Sequence, residues 1–354
     1  ITQPENLQNN LQAMNFVKTT EVQNHTIEHA LQGHDILALA ATGSGKTGAF
    51  LVPLISGMVN NHEQTALIIT PTRELAKQIS EVSKQMLKGL KKLRQALLIG
   101  GEPIPIQLRQ LRQKPRLIIG TPGRLNDHLK QKSLNLSKCQ ALVLDETDRM
   151  LDMGFGIQIA EIVKFLPEKR QTLLFSATMP KAITKLTKQY LTQPKEIKIG
   201  NLNQVAEKVK QHFLRIDNQD KLTSLKESLA DKEGSVIIFV KTKRQTESLA
   251  RSLSKEYDCR YLHCGLNLRQ RERVMRHYRE QKFQILVATD VAARGLDVPH
   301  IAWVINYELP LSPEDYVHRL GRTARGSAEG QAVTMITPQD KKVWQAIENF
   351  LNGT

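Results

Sequence analysis

At 354 residues the chain is long enough for two domains of ordinary size. Its 40% hydrophobic and 24% charged residues are the balance of a globular protein, not of a disordered or fibrous one. No apolar run reaches the roughly 20 residues of a membrane span, and no secretory signal is visible at the start, which is Ile1 rather than Met. The three cysteines, Cys139, Cys259 and Cys264, form no C-x-x-C pair, so a soluble, cytoplasmic protein in a reducing compartment is expected, with no zinc knuckle. A net charge of +15 points to a polyanionic partner, RNA or DNA first. Aromatics make up only 5%, which favours contacts to backbone phosphates over base stacking.

Residues 1–35 carry apolar positions at helical spacing and are predicted to be helical. Within them, Phe16 would cover a purine face, and the Gln23 amide would both donate and accept on an adenine edge. His25-Thr26-Ile27-Glu28-His29 matches the H-x-x-E-H zinc pattern. Five-residue matches arise often by chance, and this one is read as a polar helix face. The apolar run 35–39 reads as a buried strand. Ala40-Ala41-Thr42-Gly43-Ser44-Gly45-Lys46-Thr47 follows it, and Gly48 then opens a helical stretch. Strand, glycine loop and helix N-terminus together make a phosphate cradle, although Ala40 stands where the strict pattern has glycine. Lys46 would reach the β- and γ-phosphates and the Thr47 hydroxyl would ligate Mg²⁺.

Strands are next predicted at 65–70, 95–99, 116–120, 141–144 and 172–175. They are followed in turn by Pro71-Thr72-Arg73, Gly100-Gly101, Thr121-Pro122-Gly123-Arg124, Asp145-Glu146-Thr147-Asp148 and Ser176-Ala177-Thr178. Strands apolar on both faces and separated by helices imply a parallel sheet, and such sheets bind ligands at their strands' C-terminal ends. Asp145 fits a carboxylate that holds Mg²⁺, largely through water, and Glu146 one that orients and deprotonates an attacking water. Around 195–204 the pattern lapses into a polar stretch, read as a hinge. A second α/β series follows, with strands predicted within 205–216 and at 235–240, 260–263, 284–288, 302–306 and 331–337. It has no phosphate loop of its own, so it reads as a partner domain. The predicted division is a domain over 1–200, a linker over 201–208 and a domain over 209–354.

Over residues 16–326 the order of motifs resembles that of the DEAD-box RNA helicases. The resemblance implies an α/β fold of two tandem RecA-like domains, each a mostly parallel sheet flanked by helices and joined by a short linker. Phe16, Thr20 and Gln23 are similar to the family's adenine-sensing Q motif, and Ala41 to Thr47 to its phosphate loop. Residues 145–148 resemble the DEAD box, with Thr147 where Ala is usual; the extra hydroxyl is expected near the γ-phosphate. Asp148, Ser176, Thr178 and His318 match the residues that couple the two domains. Pro71, Thr72, Arg73, Gly100, Gly101, Thr121, Pro122, Gly123 and Arg124 match RNA-contacting motifs, joined from the second half by Thr242 and Thr289. Gly295 and Asp297 lie in the motif that touches the ribose. Residues 316–326 resemble the arginine-finger motif, with Arg322 and Arg325 as the fingers; their i, i+3 spacing would align them on one helix face. Cys264 and Leu268 depart from the family's usual Gly and Gln.

What the resemblance implies is an RNA-dependent ATPase, with ATP and Mg as cofactors, that locally unwinds short duplexes or remodels RNA–protein complexes. Lys46, Asp145, Glu146, Arg322 and Arg325 would carry the chemistry, and RNA would draw the two domains together over the nucleotide. The partner would be single-stranded RNA or a short duplex, held with little sequence preference by a monomer. An ATP-gated RNA clamp that does not unwind, and a DNA helicase or translocase, are the alternatives.

Overall fold

The computed structural model describes residues 4–41, 43–90, 92–199, 209–293, 298, 300–323 and 330–352. The chain divides into two units, residues 1–200 and 201–354. In the first, α1 (Glu5–Ala13) and α2 (Glu21–Leu31) lead into β1 (Ile36–Ala40) and α3 (Lys46–Asn60). Next come β2 (Thr65–Ile69), α4 (Arg73–Met86), β3 (Gln95–Leu98), α5 (Ile104–Arg112), β4 (Leu117–Gly120) and α6 (Pro122–Lys130). β5 (Cys139–Leu144), α7 (Thr147–Asp152), α8 (Gly156–Val163), β6 (Gln171–Ser176), α9 (Lys181–Tyr190) and β7 (Lys195–Ile199) complete the unit.

The seven strands run in the order β3-β4-β2-β5-β6-β1-β7, parallel at every pairing. Successive residues of a strand feed opposite layers of core: Ala66 and Ile68 pack into one, Leu67 and Ile69 into the other. Burial on both faces is what makes these strands near-continuous apolar runs. It also drives every connecting turn to the sheet's ends, where the polar clusters lie.

Two expectations need correction. Residues 4–35 hold two helices, broken over 14–20, where Asn15 takes a positive φ of 57°. Residues 195–199, read as part of a hinge, form β7, an edge strand in register with β1; Lys195 N–H donates to Asp35 O at 2.8 Å. An edge strand buries little more than alternate residues, here Ile197, so its lysines and glutamate resemble a linker in sequence. The expected linker 201–208 lies outside the described residues.

The second unit contains β8 (Val209–Arg215), α10 (Lys221–Ala230), β9 (Ser235–Val240), α11 (Lys243–Leu253), β10 (Cys259–Leu262) and α12 (Leu268–Arg279). It continues with β11 (Ile285–Thr289), α13 (Asp290–Ala293), β12 (Ile301–Asn306), α14 (Pro313–Leu320), β13 (Gly330–Ile336) and α15 (Lys341–Asn352). Its strands pair in parallel in the order β10-β11-β9-β12-β13-β8. Helix starts are written locally. Thr72, Thr242, Asn267 and Ser312 each accept a backbone N–H of the first turn of α4, α11, α12 and α14. Among the described residues no helix is long and apolar enough to cross a membrane.

Candidate functional site

The glycine loop leaves the C-terminal end of β1 and becomes α3 at Lys46. Gly43 and Gly45 hold φ of +85° and +99°, a region that penalises any Cβ. The Lys46 ammonium, 7% exposed, donates to Ala40 O at 2.9 Å. Ser44 Oγ is buried with no hydrogen-bond partner among the described residues. Thr47 is half-buried in the helix's first turn, Ala41 is half-buried before the loop, and Thr42 lies outside the described residues. The first-turn N–H groups and the positive end of α3's dipole converge here, the chemistry of an anion site.

Gln23 lies against this loop, 5% exposed. Its Nε2 donates to Gly45 O at 3.0 Å and its Oε1 accepts Thr20 N–H at 3.0 Å. Each end of the amide already serves the protein, so Gln23 keeps one N–H and one lone pair for a base. A Cβ on Gly48 would come within 2.9 Å of the Phe16 ring, so Phe16 and Gln23 cover the start of α3 together. In the zinc-like match, His25 and Glu28 are exposed on α2, and His29 packs edge-on to His34.

Asp145 and Glu146 leave the C-terminal end of β5, two strands from β1 in the sheet. Burial pushes the Asp145 carboxyl up to about 7; Lys46 pulls it down, and Glu146 and Asp148 push it up again. Its Oδ1 accepts Glu146 N–H at 2.9 Å. Glu146 is left-handed at φ 49°, a conformation costing a side-chain-bearing residue about 1–3 kcal/mol. Among the described residues no three His, Cys, Asp or Glu side chains converge on a metal position. One carboxylate, one hydroxyl and phosphate oxygens are nevertheless the donor set Mg²⁺ takes in nucleotide sites, so Asp145 and Thr47 fit it.

The extra hydroxyl of Thr147 is turned into the protein. Thr147 is fully buried and donates to Leu144 O at 3.1 Å, closing its own turn. Asp148 reaches β6's end. Its Oδ2 accepts Ala177 N–H and Thr178 N–H, both at 3.0 Å, and the Thr178 hydroxyl at 3.1 Å; Ser176 Oγ donates to Thr178 O at 2.7 Å. The structure thus joins Asp148, Ser176 and Thr178 as one cluster.

The other polar loops lie at the C-terminal ends of β2, β3 and β4, which neighbour one another at the far side of the sheet. Pro71 and Thr72 are buried, and Thr72 caps α4. The Arg73 guanidinium lies over Gly100, where a Cβ would meet it at 3.0 Å. Gly101 takes a φ of +84°. Thr121 and Pro122 are buried at the start of α6, Gly123 is exposed, and Arg124 Nη1 donates to Glu102 O at 3.1 Å. One sheet therefore carries two groups of loops: the β5, β6 and β1 ends hold the phosphate loop and carboxylates, and the β3, β4 and β2 ends hold the arginines and glycines.

In the second unit, Thr242 caps α11 at the end of β9. Thr289, at the end of β11, keeps a buried hydroxyl with no hydrogen-bond partner among the described residues. His318 is buried on α14. The expected helical arginine pair needs correction. α14 ends at Leu320, and Arg322, 5% exposed, sits in the turn beyond it. Arg322 therefore does not share a face of α14. Arg325, Gly295 and Asp297 lie outside the described residues.

Sequence reasoning passed over Arg319. Its guanidinium is 2% exposed and bonds Asp290 at 2.6 and 2.7 Å, Asn306 Oδ1 at 3.0 Å and Glu308 O at 2.6 Å, over the ring of Phe239. Glu308 also takes Lys241 N–H and the Gln245 amide. The signal was present in two side-chain acceptors, Asp290 just beyond β11 and Asn306 at the end of β12.

Comparison with known proteins places the chain. Residues 20–186 match the model of the DEAD/DEAH box helicase family, and residues 220–327 that of the helicase conserved C-terminal domain. The DEAD-box ATP-dependent RNA helicase CshA of Bacillus cereus is 39% identical over 348 residues, covering 97% of this chain and 66% of that protein. The ATP-dependent RNA helicase DeaD of Buchnera aphidicola is 40% identical over 346 residues, covering 97% and 58%. The chain thus spans about two thirds or less of the length of these relatives. Among solved structures, S. cerevisiae Dbp5 bound to RNA and ADP BeF3 gives a TM-score of 0.88 at 30% identity, covering 99% of this chain and 92% of that one. A DEAD box protein from Methanococcus jannaschii gives 0.57 at 36% identity, covering 99% and 96%. Matched at both halves and along nearly its whole length, the chain belongs to the DEAD-box ATP-dependent RNA helicase family.

Proposed function

We propose that this chain is an RNA-dependent ATPase that uses ATP and Mg²⁺ to separate short RNA duplexes locally or to remodel RNA–protein complexes, acting as a cytoplasmic monomer. The observation that carries this reading is the continuity of one sheet edge. The phosphate loop and Asp145-Glu146 stand on β1 and β5. The Asp148–Thr178 cluster links β5 to β6, and the arginine- and glycine-bearing loops stand on the adjoining β2, β3 and β4. A phosphate lost from one group of loops is felt through rigid strands by the other. The relatives' names, and RNA and ADP BeF3 in the Dbp5 structure, support the same reading.

Bound Mg²⁺ would neutralise charge on the phosphates between Thr47 and Asp145. Lys46 draws the β- and γ-phosphates toward the loop, and Glu146 orients and deprotonates the attacking water. Ionised Asp145 is the state that Mg²⁺ and Lys46 both favour. Arg322 and Arg325 supply positive charge to the γ-phosphate, an effect of about 10³ to 10⁵ in kcat for arginine fingers. RNA is held through phosphates and 2′-hydroxyls by Arg73, Arg124 and the glycine turns, so sequence preference is low and affinity falls steeply with salt. Turnover should rise with added single-stranded RNA and not with DNA. Equal rates with and without RNA would overturn the reading. ATP-dependent RNA binding without displacement of a short duplex would replace the helicase by a clamp.

A further inference from the structure

A buried polar chain ties together the arginine- and glycine-bearing loops of the first unit. Gln107, on α5 and 1% exposed, donates from Nε2 to Ile99 O at 3.1 Å and to Glu102 O at 3.0 Å. Those carbonyls bracket Gly100-Gly101, so one amide group closes the glycine turn from both sides. With both protons spent, Gln107 Oε1 must accept, and it faces His128 Nε2 at 3.2 Å. His128, on α6 and 1% exposed, therefore carries its proton on Nε2, and its Nδ1, at 2.8 Å, shares the one Ser133 hydroxyl proton with the His128 carbonyl at 3.1 Å. Burial, and then the nearby Arg124, hold this imidazole below its ordinary range, which keeps it in the neutral form the chain requires. Glu102 O also accepts Arg124 Nη1, and the Glu102 carboxylate takes Lys77 of α4 at 2.6 Å. Three helices thus converge on one four-residue turn.

We infer that Gln107, oriented by His128, is a positioning residue that fixes the Gly100-Gly101 turn and Arg124 in a single arrangement for the RNA backbone. This rests on the RNA-dependent function proposed above. The turn presents its N–H groups, and Arg124, whose Nε also pairs with Asp127 at 3.5 Å, its guanidinium, only while the carbonyls of Ile99 and Glu102 are held. A leucine at 107 fills similar volume and releases both carbonyls.

The test compares Gln107→Leu, His128→Leu and His128→Gln with the wild-type chain. The measurements are anisotropy of a labelled single-stranded RNA, ATPase activity against RNA and against ATP, and melting temperature. Gln107→Leu should weaken RNA binding, and raise the RNA concentration for half-maximal turnover, by about tenfold. The ATP KM and the kcat at saturating RNA should stay within about twofold of wild type, the signature of lost ground-state binding. His128→Leu should weaken RNA binding about threefold. His128→Gln, whose amide can still donate to Gln107, should restore it. Unchanged RNA affinity in Gln107→Leu overturns the inference and leaves the function standing. So does an equal loss in RNA affinity, ATP KM and kcat, which marks general damage. His128→Gln behaving as His128→Leu overturns the orienting role of His128. A wild-type chain that neither binds RNA nor responds to it removes the function and the inference together.

Discussion

Removing the Arg319 side chain tests whether this arginine braces the second unit or acts on the nucleotide. Arg319→Ala strips Asp290 of both its guanidinium bonds and leaves Asn306 Oδ1 and Glu308 O facing a void beside Phe239. The Asp290 side chain is only 23% exposed, so water recovers little of the loss. Breaking a buried pair by removing one partner costs about 3–5 kcal/mol, a large share of the roughly 5–15 kcal/mol that holds a domain together. The chain's two tryptophans, Trp303 and Trp344, both lie in the second unit, so tryptophan fluorescence follows that unit alone. With a urea slope of about 2 kcal/mol per M, the midpoint should fall by about 1.5–2.5 M. Arg319→Lys, which keeps the charge and loses the planar fork, should lose about 2 kcal/mol, roughly 1 M. A midpoint within about 0.3 M of wild type for Arg319→Ala would refute the brace. So would an Arg319→Lys variant with normal stability and lost turnover, which would make Arg319 a finger.

Lys46→Ala should abolish ATP turnover with the fold intact, and measurable turnover would remove the phosphate loop from the site. Glu146→Gln should still bind ATP and RNA in a gel-shift assay yet lower kcat by about 10² or more, and a wild-type rate would dismiss Glu146 as the base. Gly48→Ala would press a Cβ to 2.6 Å from Gln23 Nε2 and 2.9 Å from the Phe16 ring. About 1 kcal/mol of overpacking should raise the ATP KM roughly fivefold; an unchanged KM would detach those two residues from the base. Burial pushes the thiols of Cys139 and Cys259 up to about 12, while Cys264 is exposed. A thiol reagent at pH 8 should therefore titrate one cysteine in the native chain and three in urea. Because unfolded thiols ionise first, from about 9, folding stability should fall as pH rises from there toward 12; Cys139→Ala with Cys259→Ala should flatten that part of the profile.

What the sequence determined on its own is whatever a strand and the residues beside it settle locally. Apolar runs buried on both faces allow only central parallel strands, and their turns must fall at the sheet ends; the phosphate loop, Asp145-Glu146 and the glycine turns could therefore be placed from spacing alone. Caps such as Thr72 and Thr242 are equally local. The tertiary structure decided which side chains meet. Gln23 with Gly45, Gln107 with His128, Asp148 with Ala177 and Arg319 with Asp290 lie 21 to 29 residues apart and join through strand order, which no local propensity encodes. It also turned Thr147 inward, because a hydroxyl one residue into α7 finds the Leu144 carbonyl before it finds solvent, and it set Arg322 off the helix by ending α14 at Leu320. A polar side chain takes the nearest unpaired group, and only the packed chain decides which group that is.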